Sequence, residues 1–225
     1  MAQWGAMFVD DQGIPWYTPG TVPMQFIEKI TSWNTYDSIY YDQSKPTVFA
    51  TRCYDSGVGC FLKYQEPGRI SIETRTSLQN KDLRHDIYKF SIVPQGLSQW
   101  GVNIWDASGN IIINNLTPVM RAPDRHGDPE NPNDSGYMIS RYLEGQHAVI
   151  PMTTGYATGV IHTGGGGPGG GVMPFMSEVV STCQDLGNGT TRVTHATYQV
   201  ASGAITNLTY TNSRNWVFTI NVAGL

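Results

Sequence analysis

Alternation of apolar and polar positions dominates this chain, and it is clearest near the C-terminus. There an apolar residue stands at every second position, namely Trp216, Phe218, Ile220 and Val222. The positions between them are Val217, Thr219 and Asn221. Successive side chains of a β-strand point to opposite faces, so this period of two predicts a strand with one apolar face. We expect the strand to be paired inside a sheet and to hold the C-terminus in place.

Short β-branched and aromatic runs predict further strands, and turn residues separate them. These runs cover residues 23–27, 47–51, 61–64, 70–74, 88–93, 137–142, 148–150 and 191–200. Helical patterns are few, because the charged segment Ser77 to Tyr88 has no apolar stripe. The fold class predicted from the sequence is therefore all-β.

One phrase occurs twice, as Trp4 to Gly13 and as Trp100 to Gly109, an offset of 96 positions (100 − 4 = 96). Each copy has an alternating apolar set, an Asp-x-x-Gly turn signal and a second apolar run, which is Ile14 to Tyr17 in the first copy and Ile111 to Ile113 in the second. Asp hydrogen-bonds turn backbone readily and Gly accepts a positive φ. Each copy predicts a β-hairpin.

The repeat predicts two Ig-like β-sandwich domains, each with this hairpin near its start. They cover residues 1–95 and 96–225, with the junction at Pro94-Gln95-Gly96. We expect equivalent residues of the two hairpins to have equivalent roles. In this prediction Trp4 and Trp100 are buried, Phe8 and Ile104 lie inside on the same face, and Gly13 and Gly109 form the turns.

Two long loops are expected in the second domain. The acidic loop, residues 124–136, contains Asp124, Asp128 and Glu130, whose oxygens are weak candidates for calcium ligands. The spacing is not that of a helix-loop-helix calcium site, so a solvated loop is the simpler interpretation. No cofactor is predicted.

The glycine-rich loop, residues 163–172, has almost no side chains to bury, and ordering it is entropically costly. Two interpretations stay open, a mobile loop and a segment that contacts a partner. The residues concerned are Thr163, Gly164, Gly165, Gly166, Gly167, Pro168, Gly169, Gly170 and Gly171.

Composition narrows the classes of function. The net charge is −4 and the pI about 5.7, whereas nucleic-acid-binding surfaces are basic. Charged residues make up only 14% of the chain, so uncharged polar groups must form much of the surface. No apolar run reaches the roughly 18 residues of a membrane span, and no signal peptide is recognisable. Such a composition is associated with proteins that pack into large assemblies.

The cysteines and the search for catalytic motifs narrow the class of function only slightly. Cys53 and Cys60 flank a turn and face each other in the predicted hairpin; free thiols are expected in a protein made in the cytosol, with a disulfide as the alternative. We find no sequence signature of a nucleophile with its base and no phosphate-binding loop. The sequence predicts a protein that binds and is not an enzyme.

The repeated phrase resembles the start of small β-rich tail proteins of siphophages that infect enterobacteria. Trp-Gly-Val-Asn-Ile-Trp-Asp-Ala-Ser-Gly, residues 100–109, is similar to a phrase that those proteins often carry. The resemblance covers about 25 residues of each copy. It implies a virion structural protein of the tail tip or tail fibre, made in the host cytoplasm and present in several copies. Its partners would be other tail proteins and a host outer-membrane receptor or surface glycan. A capsid decoration protein and a virion-associated glycan hydrolase are the alternatives.

Overall fold

The computed structural model describes residues 8–9, 15–17, 22–76, 78, 80–93, 96–105, 108–163, 171–197 and 204–225. These residues form β-strands and one short 3-10 helix, Gly136–Met138. The all-β class predicted from the alternation is confirmed. Trp4, Gly13 and the segment 164–170 lie outside the described residues, as do the side chains of Phe8 and Thr163.

The first half of the chain contributes two layers of strands. Its strands are β1 (Phe8–Val9), β2 (Pro15–Tyr17), β3 (Gln25–Ser32), β4 (Tyr36–Tyr40), β5 (Thr47–Cys53), β6 (Val58–Glu66), β7 (Arg69–Thr76) and β8 (His85–Ser91). One layer has the order β3-β8-β5 and the other β4-β7-β6, and neighbours within each layer are antiparallel. A shared core lies between the layers, formed by Ile39, Phe49, Cys53, Val58, Cys60, Ile70, Ile72 and Ile87.

The second half extends the first layer. Its strands are β9 (Asn103–Trp105), β10 (Ile111–Asn114), β11 (Asp124–His126), β12 (Arg141–Glu144), β13 (His147–Val149), β14 (Thr153–Thr163), β15 (Gly171–Asp185), β16 (Thr190–Thr197), β17 (Ala204–Asn212) and β18 (Val217–Asn221). Apart from the hairpin β9–β10, all of them join the sheet that contains β3, β8 and β5.

That sheet crosses the expected domain boundary after residue 95. Thr51 of β5 pairs with Val149 of β13, and Cys53 of β5 pairs in parallel with Gln184 of β15. Behind β5 and β8, a second core brings Ala50, Tyr88 and Phe90 against Ala148 and Ile220. The two expected domains therefore share one hydrogen-bonded sheet and one core, and residue 95 does not separate two sheets.

The C-terminal strand β18 pairs with β11 on one side and β13 on the other, which confirms its predicted place inside a sheet. Its predicted division into an apolar and a polar face is wrong. Val217, Thr219 and Ile220 are all buried, because cores lie on both faces of the strand. Trp216 precedes the strand and is 38% exposed, with Arg125 stacked over its ring.

The run 137–142 is not one strand as predicted. Gly136 has a φ of 54°, and the chain turns there into the 3-10 helix before β12 begins at Arg141. A side chain at Gly136 would meet Asn212 and the carbonyl oxygen of Thr154. The tight turn lets this segment close over β14 and β17, and that tertiary contact overrides the local strand propensity.

A buried carboxylate connects the strands of the first layer. Asp86 of β8 has no solvent exposure and forms an ion pair with Lys29 of β3 at 3.1 Å. It accepts hydrogen bonds from Thr31 at 2.6 Å and from Tyr54 at 2.7 Å. Burial acts to raise the pKa of Asp86, but the hydrogen bonds and Lys29 outweigh it, so the pKa lies below its ordinary value.

We predict that Asp86→Ala lowers the free energy of unfolding by about 3 kcal/mol, because it breaks the ion pair with Lys29 and leaves the half-buried Tyr54 hydroxyl and the buried Tyr88 hydroxyl without their acceptor. Glu28→Ala is the matched control, since Glu28 neighbours Lys29 on β3 and pairs with Lys89 of β8 at the surface. That variant should lose less than about 1 kcal/mol. Urea denaturation measures both values, and equal losses would contradict the prediction.

The same carboxylate gives a pH dependence. Because the folded-state pKa of Asp86 is lowered, its contribution is fully present above the unfolded-state pKa and disappears as pH falls through the folded-state pKa. The loss of stability on acidification below about pH 4 should therefore be smaller in Asp86→Ala than in the parent. The free energy of unfolding is measured by urea denaturation at a series of pH values. An equal loss on acidification in Asp86→Ala and in the parent would contradict this assignment.

Candidate interaction surfaces

The hairpin β9–β10 presents large apolar side chains to solvent. Its own pairing joins Ile104 to Ile113 and Trp105 to Ile111. The exposed residues on and around it are Leu97, Trp100, Val102, Trp105 and Leu116, with exposures between 51% and 84%. Five such side chains in 20 positions (97–116) form a patch of the kind that marks an interaction site.

Local hydrogen bonds hold this hairpin in shape. Asn114 donates to the carbonyl oxygen of Gly96 at 2.9 Å and accepts from the backbone of Leu116 at 2.9 Å. Gly109 has a φ of 85°, as the predicted turn requires. The chain after the hairpin then runs beside β3, with Phe26 donating to the carbonyl oxygen of Pro118 at 2.8 Å. The apolar patch is therefore attached to the outer edge of the first layer.

The expected burial of Trp100 is wrong, because Trp100 is 84% exposed. Among the described strands, β9 and β10 pair only with each other. Ile104 is half-buried. The strands of the first copy, β1 and β2, pair at positions offset by 96, since Phe8 pairs with Tyr17 and Val9 with Pro15.

A second surface extends from the far end of the large sheet. Residues 155–163 of β14, 171–178 of β15 and 204–212 form a three-stranded ribbon, which we call the arm. Nine residues of extended chain give it a length of roughly 25 Å. Phe175, Ala157 and Val179 form a small core at its base, where Tyr137 packs against Tyr210 with ring centroids 5.9 Å apart.

The arm exposes large apolar side chains along its length and is nearly uncharged. Val172, Met173, Met176, Leu208 and Tyr210 are each at least 45% exposed. The arm contains one charged residue, Glu178. Long exposed strands are normally kept soluble by charges on their faces and edges. The arm lacks that protection.

The two outer edges of the arm differ. On β15, Pro174 has no N–H to offer a further strand, which is the usual role of proline at a sheet edge. On β17, Asn207 has a φ of 54° and forms a bulge opposite Gly159. Beyond this bulge Thr209 to Asn212 pair regularly with β14, and β17 pairs with no other strand among those described. The edge of β17 is therefore the side open to another strand.

The glycine-rich loop joins β14, the central strand of the arm, to β15. Thr163 and Gly171 are the last paired residues of β14 and β15, and Gly171 is exposed. The segment between them, 164–170, lies outside the described residues. Its role as a contact loop stays a prediction.

The acidic loop does not bring its carboxylates together. Asp124 belongs to β11 and pairs with Thr219, which corrects its assignment to a loop. Asp128 accepts a hydrogen bond from the backbone of Glu130 at 3.0 Å, and Asp134 forms an ion pair with Arg141. Among the described residues, no three His, Cys, Asp or Glu side chains could share a metal ion. Asp124, Asp128 and Glu130 therefore do not form the calcium site considered from the sequence.

The interior of the first two layers holds the thiols of Cys53 and Cys60 together with polar side chains that the sequence did not place beside them. Cys53 and Cys60 are buried free thiols with their Sγ atoms 3.8 Å apart. Cys60 contacts the Thr74 hydroxyl at 3.6 Å, and that hydroxyl contacts the ring of His85 at 3.2 Å. Thr74 thus stands between the thiol and the imidazole.

His85 is positioned by two acceptors. Its Nδ1 lies 2.8 Å from the carbonyl oxygen of Leu83 and its Nε2 lies 3.1 Å from a carboxylate oxygen of Asp37. A doubly protonated ring donates to both. These side chains come from β4, β5, β6, β7 and β8, so only the tertiary fold brings them together, and no spacing along the chain reveals them.

Comparison with family models, with curated proteins and with solved structures finds no match to this chain. Within the described part of the chain, none of the helical structure has the length and apolarity that a bilayer span requires. The candidate function therefore rests on the surfaces themselves.

We predict that Trp100→Ala lowers the free energy of unfolding by less than about 1 kcal/mol, since an exposed ring loses little on truncation. Ile112→Ala in the same hairpin should cost about 2–4 kcal/mol, because Ile112 is only 2% exposed. Chemical denaturation compares the two variants. A larger loss for Trp100→Ala would show that its ring is covered within the monomer.

Proposed function

We propose that this chain is a structural protein of a bacteriophage virion, located at the tail tip or on a tail fibre. It acts by binding other chains, in tail assembly, in host attachment, or in both. The observation that carries the proposal is the arm, a long β-ribbon with an uncharged open edge and exposed apolar side chains. An isolated soluble protein with such an edge is prone to association, whereas a subunit of an assembly has its edge covered.

The hairpin β9–β10 supports the same role. Trp100 and Trp105 are 84% and 51% exposed, and tryptophan is enriched among the residues that dominate binding energy at interfaces. The phrase that resembles siphophage tail proteins, residues 100–109, is the part of the chain that carries these side chains. The matching pairing of β1–β2 supports a duplicated module with the same docking role.

The arm favours a neighbouring strand as its partner. An edge strand binds another chain through backbone hydrogen bonds, and alternate side chains supply specificity. Leu208 and Tyr210 are two residues apart on β17 and are exposed by 45% and 51%. This is the spacing of neighbouring side chains on one face of a strand.

The test introduces a charge at the open edge. Leu208→Lys should leave the free energy of unfolding within about 0.5 kcal/mol of the parent, because the side chain is largely exposed. A lysine placed there should nevertheless prevent strand addition. We expect particles produced with this variant to lack the protein or to adsorb poorly. Quantitative mass spectrometry of purified particles and adsorption assays measure both effects.

Leu186→Lys is the matched control, since Leu186 is 37% exposed and lies in the turn after the other end of β15. It should be incorporated normally. Normal incorporation and adsorption of both variants would overturn the role of the arm. Absence of the parent protein from purified particles would overturn the virion assignment itself.

A further inference from the structure

The two facing thiols in the first core have a geometry suited to covalent chemistry. Cys53 ends β5 in one layer and Cys60 lies in β6 of the other, and their Sγ atoms are 3.8 Å apart. A disulfide requires about 2 Å between the sulfurs, so side-chain rotation has to close less than about 2 Å. The bend that joins the two strands contains Gly57, whose φ of 74° suits a tight turn. The two thiols are therefore within reach of a cross-link between the layers.

The surroundings make the two thiols chemically unequal. The hydrogen bond from Cys53 and the nearby charge of His85 lower the pKa of Cys60 to about 7, although burial opposes this. The pKa of Cys53 is raised well above its ordinary value by its hydrogen bond to Cys60 and by burial. Cys60 is thus the sulfur that forms a thiolate first, and the thiolate is the reactive form.

A small cleft lies next to Cys60. A cleft of about 190 Å³ lies between β6 and the segment that leads into β14, and its lining includes Cys60, Pro151 and Met152. A cleft of this size admits molecules as small as water or hydrogen peroxide. Cys60 itself has no exposed surface, so bulky disulfides are a poor fit.

We propose that Cys53 and Cys60 form a peroxide-oxidisable pair whose disulfide ties the two layers together. The Cys60 thiolate attacks one peroxide oxygen, the O–O bond breaks, and the departing hydroxide takes up a proton to become water. The sulfur of Cys53 then attacks Sγ of the Cys60 sulfenic acid, and the departing hydroxide takes the Cys53 proton to become a second water. Two electrons pass from the sulfurs to the peroxide.

This chemistry does not depend on a role in a virion. The moment at which the disulfide forms does rest on the proposed function, because particles leave a reducing host cytoplasm for oxidising surroundings. Subunits would then fold and assemble with free thiols and acquire the tie after release.

The test uses the purified full chain under native conditions with hydrogen peroxide as the only oxidant. The three free thiols per chain should fall to one, and peptide mapping should find Cys53 joined to Cys60. The melting temperature should rise by roughly 5–10 °C and return on reduction. In Cys53→Ser, the reaction should stop at a sulfenic acid on Cys60 that dimedone captures once the oxidised chain is unfolded.

Cys183→Ala is the matched control, because Cys183 is also buried and burial raises the pKa of its thiol. In this variant the disulfide between Cys53 and Cys60 should form at the same rate as in the parent. Cross-links between chains, a sulfinic acid on Cys60, or reaction only in denaturant would each overturn the proposal. These readouts need only the purified chain, so their failure is distinguishable from failure of the virion assignment.

Discussion

Strand β5 is the constraint on which the rest of the structure depends. It pairs with β8 within the first layer and contacts both β13 and β15 of the second half. Its side chains enter different cores on its two faces, Phe49 on one and Ala50 on the other. A strand with this many neighbours has no solvent-facing side. Its polar residues must therefore be satisfied inside the protein.

Arg52 meets that requirement in part at the junction, since its Nε is buried without a hydrogen-bond partner among the described residues. Its guanidinium forms an ion pair with Asp185 of β15 at 2.7 Å, and the two side chains are only 5% and 15% exposed. A nearly buried ion pair contributes little net stability, but it is costly to break by removing one partner. We infer that this pair fixes how the two halves of the sheet meet. Apolar residues in its place would allow alternative registers, since hydrophobic contacts are not directional.

How much of this arrangement the sequence reveals depends on burial. The runs 47–51 and 70–74, and the run 191–200 as far as residue 197, predict strands that the structure contains, because burial on one or both faces imposes a pattern on the residues. Much of β14 and β17 went unpredicted, since strands exposed along the arm carry glycine, threonine and asparagine without apolar alternation. Strands buried in the cores and strands exposed along the arm differ in what covers them, and this difference cannot be predicted from composition alone.

The sites follow the same physical logic. Alternation shows that Trp100 and Ile104 share a side of the hairpin, but it does not show whether any layer covers that side. For Trp100, no described layer does. The thiol pair is the opposite case. Cys53 and Cys60 are close in sequence, yet Thr74, His85 and Asp37 reach them only through the packing of two layers.

The separation of cores from surfaces bears on how the chain works. Buried polar groups around Asp86 and His85 are hydrogen-bonded, which favours a single rigid arrangement of the two layers. The core of the arm ends at the partly buried Ile161 and Ile205, so its outer end makes few contacts that stabilise it locally. Binding of a neighbouring strand along β17 would supply the missing backbone hydrogen bonds and cover the apolar side chains. The part of the protein that is least stable alone is thus the part that gains most from assembly.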